Sequence, residues 1–207
     1  MSREQDLLAA SGVSRETMER FKLLESLIRK WNPVINLVSK GSISEIYARH
    51  IMDSVQLFDL VELREGVWCD MGSGGGFPGL VIAAMAKGAG RTYDLQMIES
   101  DSRKAVFLRE AARQLDLHAV VVNARVEAVP PLSANVLSAR ALGPLSKLCE
   151  FAVRHIGDAG VSLFPKGINY ADEIEKARVD WSFDLTVHPS KTEADAAILE
   201  LRNIQHV

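Results

Sequence analysis

The chain has few cysteines, no long apolar run and no surplus of positive charge, and each lack removes a class of protein. Cys69 and Cys149 are the two cysteines among 207 residues. They stand far apart, with no CxxC and no Cys/His spacing around them, which excludes a disulfide scaffold and a zinc ribbon. Both read as free thiols of a reducing compartment, one in a strand and one in a helix. The longest apolar run, near Leu80–Ala86, falls far short of the roughly 20 residues that a bilayer span needs. The opening MSREQDLLAASG brings acids early and has no sustained apolar core, so no signal peptide is expected. Lys and Arg number 24 against 27 Asp and Glu, a net charge of −3. That argues against an all-over basic nucleic-acid coat and leaves room for one local basic face. Repeats, low-complexity segments and disordered linkers are missing as well. The expectation is a soluble, cytoplasmic protein of one domain, residues 1–207, with no membrane partner and no metal site.

What is present centres on Val67–Gly79, VWCDMGSGGGFPG. Val67, Trp68 and Cys69 read as a short buried strand, closed by Asp70. Gly72, Gly74, Gly75 and Gly76 then form a loop with almost no side chains. Pro78 and Gly79 open the apolar run LVIAAMA, with proline where a first helical turn tolerates it. A strand turning through glycines into a helix brings bare backbone N–H groups and a positive helix end against a ligand. So dense a glycine cluster loses much chain entropy unless close approach is required, which favours a cofactor loop over a plain turn.

Residues 1–61 read as a helical extension. Ser14 precedes Met18, Phe21, Leu24, Ile28 and Trp31 at helical spacing, and Pro33 is expected to stop that helix. Ser42 and Glu45 have capping-box spacing ahead of a second amphipathic helix carrying Ile46, Tyr47, Ile51, Val55 and Phe58. On it, Arg49 and His50 both stand one turn from Asp53, so both could pair with that carboxylate. A polar tie between helices explains this cluster at least as well as a ligand-facing role. From 66 to 207 strands and helices alternate as in a Rossmann-like core. Strands are expected near 66–70, 93–98, 118–122, 134–139, 160–165, 182–188 and 196–202, with helices near 78–87, 102–115, 143–156 and 169–179. The last two strands are separated by HPSKTEADA alone, which suggests an antiparallel edge pair. This α/β outline, a seven-stranded mixed sheet with an N-terminal helical extension, is that of the class I S-adenosylmethionine-dependent methyltransferase fold.

In such a sheet the ligand lies outside the carboxyl ends of the central strands. The second strand, YDLQMIE, ends in Glu99, whose carboxylate can accept both hydroxyls of an adenosine ribose. Gly74, Gly76 and Gly79 match GxGxxG, and Glu99 follows about 20 residues on, so a nicotinamide-dependent oxidoreductase is the rival reading. Against it, Asp70-Met71-Gly72 puts an acid ahead of the glycines, suited to the ammonium of a sulfonium cofactor, directly or through water. Phe77-Pro78 also places a ring where a pyrophosphate would sit.

DMGSGGGFPG, IESDSRKAVFLRE, ARVEAV, LSARALGPL and FPKG, with WNPVINLV and RHIMDS before them, resemble the glucose-inhibited division protein B family of 16S rRNA (guanine-N7) methyltransferases. The likeness covers about residues 20–170. It departs from the usual pattern at Val38 (commonly threonine), Met71 (valine), Gly75 (alanine) and Pro165 (aliphatic). The resemblance implies S-adenosylmethionine as methyl donor and one guanine of 16S rRNA, in the RNA or the 30S particle, as target. It implies cofactor contacts at Gly72, Phe77, Val126, Glu127 and Arg140, joining Asp70, Gly74, Gly76 and Glu99 from the residue reading. It also implies RNA-facing positions at Arg125, Lys166, Arg103 and Lys104. Guanine N7 carries an exposed lone pair, so positioning should suffice and no general base is expected, His50 included. No NPPY-type segment follows the fourth strand, and Cys149 sits in an amphipathic run, which argues against exocyclic-amine and cytosine-C5 chemistry. A ribosome-assembly factor that keeps the fold without turnover is the non-enzymatic alternative.

Overall fold

The computed structural model describes residues 13–207; the reading of the first twelve residues as lacking a signal peptide lies outside them. Helix α1 (Arg15–Ile35) starts where expected, the Ser14 side chain accepting from Thr17 N. Pro33 does not stop it. The helix runs two residues further because proline in the last turn sacrifices a single backbone donor, and Asn36 closes it in the left-handed region, φ 45°, its N–H donating to Asn32 O. The Asn32 side chain, 2% exposed, accepts from Val38 N at 2.8 Å and fixes the turn that follows.

Residues 40–59 do not form the continuous helix that the spacing predicts. A 3-10 segment (Lys40–Glu45) and one π turn (Tyr47–Ile51) lead into α2 (Met52–Asp59). Ser42 donates to Ser39 O and meets His50 Nε2 at 2.9 Å, so its hydroxyl is committed elsewhere than to a capping box. The π turn, a local widening found at functional sites, carries Arg49 and His50.

The core then alternates as expected: β1 (Glu65–Met71), α3 (Gly79–Gly88), β2 (Thr92–Ile98), α4 (Ser102–Gln114), β3 (Ala119–Val122), β4 (Ala134–Ala139), α5 (Leu145–His155), β5 (Ile156–Lys166), α6 (Tyr170–Ala177), β6 (Trp181–Pro189) and β7 (Ala197–His206). β5 begins earlier than the sequence suggests. The strand is expected near 160–165, but the segment from Ile156 already joins the sheet, across a register shift between Ala134 and Val136. The strands lie in the order β3-β2-β1-β4-β5-β7-β6, with β7 antiparallel to both neighbours. A dinucleotide sheet of order 3-2-1-4-5-6 has no such reversed strand between its fifth and sixth.

Alternation along β1 divides the core. Trp68 faces a cluster built with Phe21, Ile28, Leu80 and Phe107 from α1, α3 and α4. Cys69 and Met71 face the other cluster, with Leu148, Phe151 and Phe164. Both cysteines are buried free thiols, in β1 and α5, and burial pushes Cys149 up to about 12. The helical extension thus packs on one layer of the sheet and reaches its carboxyl edge through the turn after α1. Gly75 shows how close it comes: a Cβ there would stand 2.9 Å from Leu37 O.

Phe21 is fully buried where α1 meets the sheet layer. Phe21→Ala is expected to cost about 3–5 kcal/mol in urea denaturation. Leu23→Ala, at a position 37% exposed on the same helix, should stay within about 0.5 kcal/mol.

Candidate active site

The glycine loop is held by two carboxylates, one spanning its ends and one at its middle. In the sheet register Asp70 pairs with Met97 on one side and Ser138 on the other. Its Oδ1 accepts from Ser138 Oγ at 2.9 Å and its Oδ2 from Gly79 N, at the start of α3, at 3.1 Å. With 0% exposure, Asp70 offers no surface for a direct ammonium contact, the first of the two routes (direct or through water) that the sequence suggests; here it holds up the loop. Burial pushes its carboxyl up to about 6, opposed by the Ser138 hydroxyl and the Gly79 N–H. Glu99 secures the middle of the loop. Its Oε2 accepts from Gly74 N at 2.8 Å and its Oε1 from Asp101 N at 2.7 Å. Each oxygen keeps a second lone pair for a ribose hydroxyl, but Glu99 is 6% exposed and has a structural task that the sequence did not reveal. Gly72, Gly74 and Gly76 all have positive φ, at 68°, 52° and 90°. At Gly74 an added Cβ would meet nothing nearer than Gly72 O at 3.8 Å, so a side chain would fill the cradle.

Above the loop lies a cleft of about 780 Å³, walled by Gly72, Gly74, Phe77, His50, Lys104 and Arg140 among others. That volume suits a nucleoside-sized ligand. Arg140, at the end of β4, is the hub. Its Nη1 donates to Arg49 O (3.1 Å), to His50 Nδ1 (2.9 Å) and to Asp53 Oδ2 (3.4 Å). Nε and Nη2 have no partner among the described residues, which leaves them for a carboxylate or phosphate. The side chains of Arg140 and Asp53 are 19% and 20% exposed.

The pairing of Arg49 and His50 with Asp53 that their spacing allows is not observed. Arg49 turns to Glu45 at 3.7 Å, and Asp53 instead takes Arg140 and Thr192 Oγ1, the latter at 3.2 Å. His50 stacks on Phe77, centroids 5.0 Å apart. An arginine only donates, so Nδ1 is the acceptor and Nε2 carries the proton toward Ser42. Burial, then the Arg140 and Arg49 charges, push His50 down to about 4.

Other expected residues lie apart from the cleft. Val126 is 6% exposed in a short 3-10 turn (Val126–Ala128), its carbonyl bonded to His155 Nε2 at 3.1 Å. Glu127 is half-exposed and 3.9 Å from Lys147, and Arg125 before it is exposed. Arg103 is exposed and pairs with Asp101 at 3.3 Å, whereas Lys104 lines the cleft. Lys166 departs most from expectation. Its side chain is 8% exposed and its ammonium binds Gly143 O and Glu173 Oε2, both at 2.7 Å. Glu173 Oε2 also accepts from Leu145 N at 2.9 Å, at the start of α5, so Lys166 braces a helix end with two of its three N–H donors. Sequence reasoning missed Gln56 and Thr192, which meet across 136 positions at 3.3 Å and leave no local signal.

The sheet with its reversed seventh strand, the carboxylate-held glycine loop and the nucleoside-sized cleft define a class I S-adenosylmethionine-dependent methyltransferase. Solved neighbours share that fold. A TehB-like methyltransferase from Corynebacterium glutamicum superposes with TM-score 0.58 at 11% identity, covering 87% of this chain and 98% of its own. M. jannaschii TYW2, solved in complex with AdoMet, gives 0.56 at 16% identity over 82% and 78%. A family profile described as GidB, rRNA small subunit methyltransferase G, matches residues 17–201. "Ribosomal RNA small subunit methyltransferase G" of Cereibacter sphaeroides (strain ATCC 17025) is 48% identical, over 96% of this chain and 95% of its own length. Its Paracoccus denitrificans counterpart is 47% identical, over 94% and 98%. The chain belongs to the GidB family of rRNA methyltransferases, and the nicotinamide alternative falls.

Two outcomes follow from the buried groups. Asp70, raised when folded, contributes stability below about pH 4 that is lost as pH climbs through about 6. Between pH 5 and 7.5 the wild type should therefore lose about 1 kcal/mol relative to Asp70→Asn in urea denaturation; parallel behaviour would contradict this. For His50, ring ¹⁵N shifts should report the neutral Nε2–H tautomer at pH 6, half a unit below the ordinary histidine value of about 6.5.

Proposed function

We propose that this chain transfers a methyl group from S-adenosylmethionine to N7 of a specific guanine in 16S rRNA, within the bacterial cytoplasm. The observation that carries the reading is the Arg140 hub at the cleft's inner wall, beside a glycine cradle with room for the donor. Membership of the GidB family supports the rRNA substrate. When bound, S-adenosylmethionine supplies a methyl on a sulfonium: an N7 lone pair forms the new bond, the carbon–sulfur pair returns to sulfur, and positive charge passes to the purine. The chain's own residues orient and exclude. Gly72, Gly74 and Gly76 give a bare floor, Phe77 and the stacked His50 an apolar wall, and Glu99 an acceptor for a sugar hydroxyl. Val126 and Glu127, outside the cleft lining, are assigned to the adenine on the family resemblance alone, while Asp70 acts through the loop. Arg140 offers two nitrogens, Nε and Nη2, to an anionic group of donor or RNA. Lys104, Arg103 and Arg125 supply positive charge for RNA phosphates. His50, neutral and hydrogen-bonded at both nitrogens, removes no proton, and N7 has none to lose. The described part of the helical extension, residues 13–61, acts as one wall of a single methyltransferase domain.

The test is labelled methyl transfer to naked 16S rRNA and to 30S particles, mapped by N7-sensitive cleavage. Incorporation at one guanine is expected, with Arg140→Ala lower by on the order of 100-fold; no incorporation by folded protein would overturn the reading. If the protein were an assembly factor without turnover, Arg140→Ala would leave its activity in cells unchanged.

A further inference from the structure

A second chamber of about 400 Å³ adjoins the cofactor cleft on its β5–β7 side, lined by Asp53, Arg140, Pro165, Lys166, Glu193 and Ile198 among others. Asp53, Arg140, Ala141 and Glu193 line both chambers, so these residues form the boundary across which a methyl would pass. Four of the chamber's five charged side chains are already engaged. Arg140 and Asp53 hold each other, and Lys166 is bound to Glu173. Glu193 is different, because its carboxylate has no hydrogen bond or ion pair among the described residues. Its backbone is nevertheless tightly held. The β6–β7 loop is pinned to α2 where Lys191 N donates to Gln56 Oε1 (2.6 Å) and Thr192 Oγ1 to Asp53 (3.2 Å). Ser190 Oγ accepts from the backbone N–H of Thr192 and of Glu193, at 3.2 and 3.3 Å, and Ala196 N closes on Glu193 O at 3.2 Å.

Glu193 is exposed, so its carboxylate is open to an incoming group, and beside Asp53 it sets two negative charges where polyanionic RNA must enter, a repulsion that a donor group of the RNA offsets. We propose that the smaller chamber receives the target base and that Glu193 reads it, accepting hydrogen bonds from guanine N1–H and the 2-amino group. The inference rests on the guanine-N7 reading. Guanine offers two adjacent donors on that edge, where adenine and cytosine each present a ring-nitrogen acceptor that a carboxylate repels. The same contact strengthens as methylation makes the purine cationic, so it discriminates in the transition state as well as in binding.

The test is a two-by-two comparison of wild type and Glu193→Gln on 30S particles or rRNA carrying guanosine or inosine at the mapped position. Inosine keeps N7, O6 and N1–H and lacks the 2-amino group. Wild type should lose roughly 10–100-fold in kcat/KM on inosine, the factor that one hydrogen bond to a charged group is worth. Glu193→Gln should be weaker on guanosine by a similar factor and discriminate less than about threefold between the two bases. Part of its loss should appear in kcat, and S-adenosylhomocysteine binding by calorimetry should be unchanged. Equal discrimination by both proteins, or full activity of Glu193→Gln on guanosine, overturns the proposal while leaving the methyltransferase reading intact. Absence of transfer by wild type on guanosine would bring down both.

Discussion

Two buried carboxylates accepting backbone N–H groups hold this site in shape. Asp70 binds the first N–H of α3, and Glu99 binds the N–H of Gly74. Burying a carboxylate is costly unless its lone pairs are satisfied, and here they are satisfied by the groups that define the loop. The glycines follow from this arrangement. Gly76 has φ 90° and Leu80 against it, and at Gly79 a Cβ would stand 2.9 Å from Asp70 Oδ2. A loop held at its ends and its middle is preorganised, so a ligand need not be spent on ordering it.

The helical extension depends on the same loop. Leu37 lies against Gly75, and His50 stacks on Phe77 two residues later. The π turn at Tyr47–Ile51 makes room for this, turning Arg49 O and His50 Nδ1 toward Arg140 Nη1. The extension therefore supplies a wall of the cleft and three acceptors for the residue at its centre, counting Asp53.

Period-2 and period-3.6 patterns were enough to read the sheet and its helices, because each depends on neighbours a few residues away. The reversed edge pair was legible from the short HPSKTEADA connection. The distortion of residues 40–51 was not, since Ile46, Tyr47 and Ile51 still recur with helical spacing while tertiary contacts select 3-10 and π turns. Asp53 shows the same limit. Arg49 and His50 are its neighbours in sequence, yet Arg140 and Thr192, 87 and 139 positions away, take its oxygens. Lys166 was the reverse case: Glu173, seven residues on, was a local competitor that the reading overlooked. Glycine positions such as Gly72 and Gly74 were legible as ligand floor, whereas the role of Glu99 in fastening that floor needed the coordinates.

The charge balance at the boundary of the chambers suits a reaction in which positive charge moves without a proton. Arg140 contributes one positive charge there, and Asp53 and Glu193 contribute two negative ones, leaving the boundary with a net negative charge. A cation arriving on a sulfonium and departing on a purine is favoured at both stages by that excess. A protonated histidine at the same spot would oppose it, and burial together with Arg140 keeps His50 neutral well below physiological pH. Its flat, uncharged face against Phe77 then serves as wall, and its Nδ1 as acceptor for the guanidinium. The need for a neutral His50 and the need for an anchored Arg140 are thus met by one hydrogen bond.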